Sequence, residues 1–266
     1  MVRWVMAAVG LGWGVAVAQV NVEPITSAAT DPGFGLNAKA GVAFALGNVQ
    51  YFDLTGAGTL TYVTDHPMAV EEEGNNAFRD RVVLNGNLRR KYANDAIVID
   101  AQFVHARYTR MQWLRLGAEV FAQVGEDRFL LQETRFVAGG GLRFVLAETS
   151  RADVVGGLGY MYEWEDRDIS EGFPDPEIER DHRLATYLTA NLFPIEDRLT
   201  ISNTVYFQPR IDQPSDLQLT NDLSLKLRVT EQVALDSSIY LRFDSEQPSE
   251  IKDLDVRSSS GISVSF

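Results

Sequence analysis

Cysteine is absent from the 266 residues, which excludes a disulfide framework and any thiolate metal site. Histidine occurs only at His66, His105 and His182, far apart and in no metal-binding pattern. No Gly-x-Ser-x-Gly or His-Glu-x-x-His occurs, and Gly139-Gly140-Gly141-Leu142-Arg143 lacks the strand-to-helix setting of a phosphate loop. Basic residues are scarce, 24 Lys+Arg against 37 Asp+Glu, a net charge of −13. That balance argues against nucleic acid and against a polybasic membrane patch. After the first 18 residues no uncharged run approaches the roughly 20 apolar residues of a helical membrane span. The sequence therefore predicts no enzyme: no catalytic residue, no metal and no cofactor.

Residues 1 to 18 are of another kind. Arg3 is their only charge, an apolar run from Trp4 to Ala18 follows, and Ala16-Val17-Ala18 before Gln19 fits a small-x-small cleavage site. The run is too short for a span, so 1–18 reads as a signal peptide. Its removal leaves 23 basic against 37 acidic residues, a net of −14. Residues 19–33 follow as a periplasmic lead segment.

From residue 34 onward the chain alternates. In the last stretch Leu254, Val256, Ser258, Ser260, Ile262, Val264 and Phe266 share one parity, and the other is polar throughout. Side chains alternate across a strand with a period of two, so this is a strand with one mostly apolar face. The same pattern recurs in runs of about 10 to 15 residues separated by turn signals, giving 12 candidate strands. Soluble strands usually run about five or six residues, whereas a tilted membrane strand needs about nine to eleven. Aromatic residues near strand ends (Tyr62, Tyr92, Trp113, Trp164, Phe207) fit interfacial girdles. The strand from Ala96 to Tyr108 has apolar residues on both parities, which leaves its orientation open.

Alternation alone does not separate a soluble barrel, apolar inside, from a membrane barrel, apolar outside. Strand length, the signal and the closing Phe266 favour the second: an all-β, antiparallel transmembrane β-barrel over 34–266, closed by the C-terminal strand. An even strand number puts both ends in the periplasm. Phe266 is the expected assembly signal. On three consecutive strands the face opposite the apolar one carries Arg115, Glu119, Glu133, Arg135, Arg143, Glu163 and Glu165. These are the expected lumen-lining charges. Strands lie about 4.8 Å apart, so opposite charges there can pair across the sheet and plug the lumen, or line a narrow pore. An acidic run with Asp166, Asp168, Ser170 and Glu177 echoes a calcium loop, but Gly172 falls one place late and no helices flank it. It reads as an exposed loop.

The order of His105-Ala106-Arg107-Tyr108, Trp113-Leu114, Glu119 to Gln123, Arg135, Gly139 to Phe144 and Met161 to Glu165 resembles the domain-of-unknown-function 481 family. Gly47-Asn48, Tyr206-Phe207-Gln208-Pro209 and the Asp253 to Phe266 ending resemble it too. This family comprises salt-induced-type outer-membrane proteins of Gram-negative bacteria. The resemblance implies an outer-membrane barrel and supplies no reaction. The partners expected are outer-membrane lipids, lipopolysaccharide and the barrel-assembly machinery. A narrow passive channel is the leading expectation for function. A stress-adaptive envelope barrel with a closed, salt-bridged lumen is the alternative, and a lipid-acting enzyme the least favoured.

Overall fold

Alternation is realised in twelve strands. The computed structural model describes residues 32–45, 50–68, 78–93, 96–196 and 198–264. The expected signal peptide, most of the lead segment and Phe266 lie outside them. The strands are β1 Gly33–Ala45, β2 Tyr51–Asp65, β3 Phe78–Ala93, β4 Ala96–Trp113, β5 Leu116–Asp127 and β6 Gln132–Thr149. They continue as β7 Ala152–Arg167, β8 Ile178–Ile195, β9 Leu199–Pro209, β10 Leu217–Arg228, β11 Val233–Asp244 and β12 Leu254–Val264. Their lengths run from 11 to 18 residues. A 3-10 turn, Arg128–Leu130, joins β5 to β6, with Asp127 accepting from the Phe129 amide. No helix among the described residues is long and apolar enough to cross a membrane.

Every strand pairs antiparallel with its neighbour in sequence, so the sheet is a meander in the order β1 to β12. The outer strands are β1 and β12, and among the described residues no ladder joins them, so the expected closure is not drawn there as hydrogen bonds. The sheet nevertheless rolls on itself. Gln218 on β10 donates to Glu163 on β7, and Tyr187 on β8 donates to Glu119 on β5. At one end the β7–β8 and β11–β12 loops meet, where Ser170 N donates to Glu250 and Ser249 N to Asp175. Bulges at the ends of several strands, including one between Gln132 and Thr134, sharpen the twist that rolling needs.

The faces are those of an inside-out protein. Glu163 and Arg183 are each 2% exposed, whereas Leu158 is 51% and Val120 56% exposed. Among the described residues two small apolar clusters pack inside. Val63, Phe78 and Met111 close the end where β2, β4 and β6 finish, with Val145 against them. Val137, Met161 and Ala185 pack at mid-height with Phe121. These clusters explain β4. Its inward residues include Ala101 and Met111 beside His105, Arg107 and Thr109, so both parities hold apolar side chains.

Candidate functional site

The interior is held by two layers of buried polar groups. The first is centred on Glu163, which β7 carries into the middle of the roll. Arg135 Nε on β6 donates to Glu163 Oε1 at 2.6 Å, and Arg183 Nε on β8 donates to Glu163 Oε2 at 2.8 Å. Arg183 spends the rest of its fork on Asp181 Oδ2 at 2.6 Å and Asp216 Oδ1 at 2.8 Å. Glu165 takes Arg135 at 3.0 Å, Arg167 at 2.8 Å and the Gln132 amide at 2.7 Å, and Arg167 also pairs with Glu179. A buried charge is tolerated only when paired and hydrogen-bonded, and Glu163 and Glu165 each meet that condition twice or more.

Arg210, just past β9, caps this layer. It lies 3.4 Å from both Asp181 and Asp216 and grips Asp212 in the β9–β10 loop at 2.7 Å. The hydrogen bond from Arg210 holds the exposed Asp212 carboxyl below the usual aspartate range.

The second layer is built around Tyr187. Its hydroxyl donates to Glu119 Oε2 at 3.0 Å and accepts from Arg143 Nη1 at 2.7 Å. Arg107 and Arg143 both approach Glu119 at 3.9 Å, and the Arg107 guanidinium lies between the Phe121 and Tyr187 rings, 5.6 and 5.7 Å from their centroids. Glycine makes room for these rings. A Cβ at Gly157 would stand inside the Tyr187 ring, and one at Gly139 would lie 2.6 Å from Phe121. Between the layers remains a cavity of about 40 Å³ beside His105, Gln123 and Tyr206. That volume admits a few water molecules.

Five of the seven residues expected to line the lumen come together here: Glu119, Arg135, Arg143, Glu163 and Glu165. Two do not, and the correction has a local cause in each case. Arg115 is exposed in the two-residue β4–β5 turn, where its carbonyl accepts from Val145 N. Glu133 is exposed because it is the extra residue of the bulge between Gln132 and Thr134, so the parity count slips at that point. The members sequence reading left out are chiefly Arg107, Arg167, Asp181, Arg183, Tyr187 and Asp216. Arg183, Tyr187 and Asp216 already stand on the polar parity of their strands, and extending the pattern beyond three strands reaches them. Asp166, Asp168, Ser170 and Glu177 do not converge on a common point, and no group of three or more metal-ligating side chains occurs among the described residues.

A family profile described as "Protein of unknown function, DUF481" matches residues 38–266. The chain belongs to the DUF481 family. No curated protein matches it. Among solved structures the chain is similar to a NanC porin in a rhombohedral crystal form. The two share 10% identity over 88% of this chain and 99% of that one, with a TM-score of 0.43. A likeness of that degree carries no argument about activity. In this DUF481 chain the family's span begins within β1 and includes every residue of both interior layers.

Proposed function

We propose that this DUF481 protein is an integral outer-membrane barrel of a Gram-negative bacterium whose lumen is closed at rest by its own ion pairs. It acts as an envelope component rather than as a freely permeable pore. Apolar side chains on the outside of long strands, with charge inside, suit lipid on one side and an ion-paired interior on the other.

The observation that carries the closed lumen is the reach of Glu163. Along the wall, β7 and β10 are three strand spacings apart, roughly 14 Å. Gln218 of β10 nonetheless bonds directly to Glu163 of β7, 3.3 Å away, so side chains bridge the inside of the roll between strands that do not pair. Partly unpaired charges would have left a water-filled passage. Between β4 and β9 the described residues line the small cavity of about 40 Å³ described above.

A second reading has its own observation. On β2 the inward residues Thr55, Ala57 and Thr59 are only half-buried, and on β1 Asn37 and Lys39 are exposed. A narrow passage along that wall remains compatible with the paired cluster, and the protein would then be a small-solute channel. Planar-bilayer recording separates the two. The closed barrel gives no steady conductance as the native protein and gains it when Arg183 and Glu163 are both replaced by alanine. Steady, ohmic conductance of the unaltered protein would sink the closed reading in favour of the channel.

A further inference from the structure

One charged cluster stands on the outward face, apart from the two interior layers. It lies at the end of the sheet where β2 and β4 finish and β3 begins. There Asp80 is directly opposite Arg110 in the ladder. The next outward row, toward the middle of the sheet, runs through Tyr62, Val82, Tyr108 and Val120. These four side chains are between 37% and 56% exposed, so an apolar and aromatic strip leads up to the charges. Tyrosine at such a boundary is characteristic of a membrane interface.

Asp80 organises the cluster. The Tyr108 hydroxyl donates to its Oδ1 at 2.6 Å, the Thr64 hydroxyl donates to its Oδ2 at 3.5 Å, and the Asp80 amide donates back to Thr64 Oγ1 at 3.0 Å. Arg79 and Arg110 approach the same carboxylate to 3.7 and 3.8 Å. At those distances they are held by charge and not by hydrogen bonds, so both forks keep donors to offer. The carboxylate is 24% exposed and the arginines 46% and 47%. A fixed carboxylate thus poises two outward guanidiniums side by side, and two positive charges against one negative leave the cluster at +1.

We infer that this cluster binds the phosphate of an anionic glycerophospholipid, with Arg79 and Arg110 on the phosphate oxygens and an acyl chain lying along Val82 and Val120. An even strand number leaves both chain ends in the periplasm, so this end of the sheet faces the phospholipid leaflet and not the lipopolysaccharide one. Arginine suits the task because its planar fork meets two phosphate oxygens at once. The net charge selects the head. An ammonium on the lipid would meet two guanidiniums, and the cluster's one carboxylate is already engaged by two hydroxyls. Phosphatidylglycerol, whose head carries the phosphate charge alone, therefore fits better than zwitterionic phosphatidylethanolamine. The inference rests on the reading above that the outward face meets lipid.

The test uses the full mature protein, refolded into vesicles of phosphatidylethanolamine and phosphatidylglycerol, then extracted in mild detergent for native mass spectrometry. One retained phosphatidylglycerol per chain is expected, in preference to phosphatidylethanolamine. Arg110→Gln weakens that retention about tenfold, the loss of one charge-assisted contact. Arg79→Gln does the same and serves if the first variant misfolds. Asp80→Asn separates aim from charge: it makes the cluster more positive, yet retention falls because the guanidiniums lose their anchor. Arg180→Gln, exposed at the opposite rim where β8 begins, leaves retention unchanged. Inorganic phosphate added during extraction does not displace the lipid, and displacement would reveal a plain anion site and overturn the inference. Equal retention of the two lipids, tighter retention by Asp80→Asn, or arginine variants that behave as the parent overturn the site while leaving the barrel in place. Protein that fails to insert into vesicles at all overturns the barrel reading and the site with it.

Discussion

Arg183 on β8 donates from Nη1 to Asp216, the residue before β10, 2.8 Å away, across a neighbour that lies between them in the sheet. The same guanidinium holds Glu163 on the opposite side. One side chain thus ties three segments of the wall through the interior, and the consequences of disturbing it are calculable.

Glu163→Ala leaves Arg135 and Arg183 facing each other inside the protein. Deleting one partner of a buried pair costs about 3–5 kcal/mol when the surviving charge has no other partner. Arg135 keeps Glu165, and Arg183 keeps Asp181 and Asp216, so the loss here lies at the low end, about 3 kcal/mol. Urea unfolding in vesicles is expected to show a loss of that size. Adding Arg135→Leu to Glu163→Ala is expected to recover part of it, and strict additivity of the two would mean that they do not interact.

Gly157 and Tyr187 are a matched pair. Gly157→Val forces the ring off β7 and breaks the hydroxyl's bonds to Glu119 and Arg143. Overpacking of this kind costs about 1–3 kcal/mol. Combining it with Tyr187→Ala, which empties the same space, is expected to cost less than the sum of the single changes. Unfolding midpoints of the four proteins in the cycle decide the matter.

Leu142 stands on the outward face, 47% exposed, beside the buried Arg143. If lipid covers that face, Leu142→Arg costs about 2–4 kcal/mol in bilayers, depending on depth. Ala118→Arg, on the neighbouring outward position of β5, behaves alike. Both variants are expected to unfold at lower urea in vesicles than the parent. Unchanged midpoints would place this face in water and refute the membrane reading.

Much of this architecture is legible in the sequence, because a period of two leaves a trace that survives without any partner. The strand number and the shared face of Glu119, Arg135, Arg143, Glu163 and Glu165 follow from parity alone, and that this face is the inner one rests on strand length as well. Parity fails where the backbone adds or spends a residue outside the ladder. Glu133 is such an insertion, and Arg115 belongs to a reversal so short that it looks like the start of β5. The orientation of β4 was hidden for another reason: its inner face carries apolar packing at both of its ends. Nor does alternation name partners. It places Arg183 and Asp216 on one face, but their meeting depends on how tightly the sheet rolls.

The meander also imposes an order on events. Each strand can join the sheet as the next hairpin, with contacts that are local in the chain. Glu163 meets Arg135 and Arg183 on strands immediately beside its own, so its first bonds can form early. Asp216 and Gln218 join only when β10 is in the sheet, two strands from β8. Until then the guanidinium of Arg183 has just part of its final shell and must keep water. Dehydration of the interior therefore waits until β7, β8 and β10 are all in the sheet, rather than following the collapse of an apolar core.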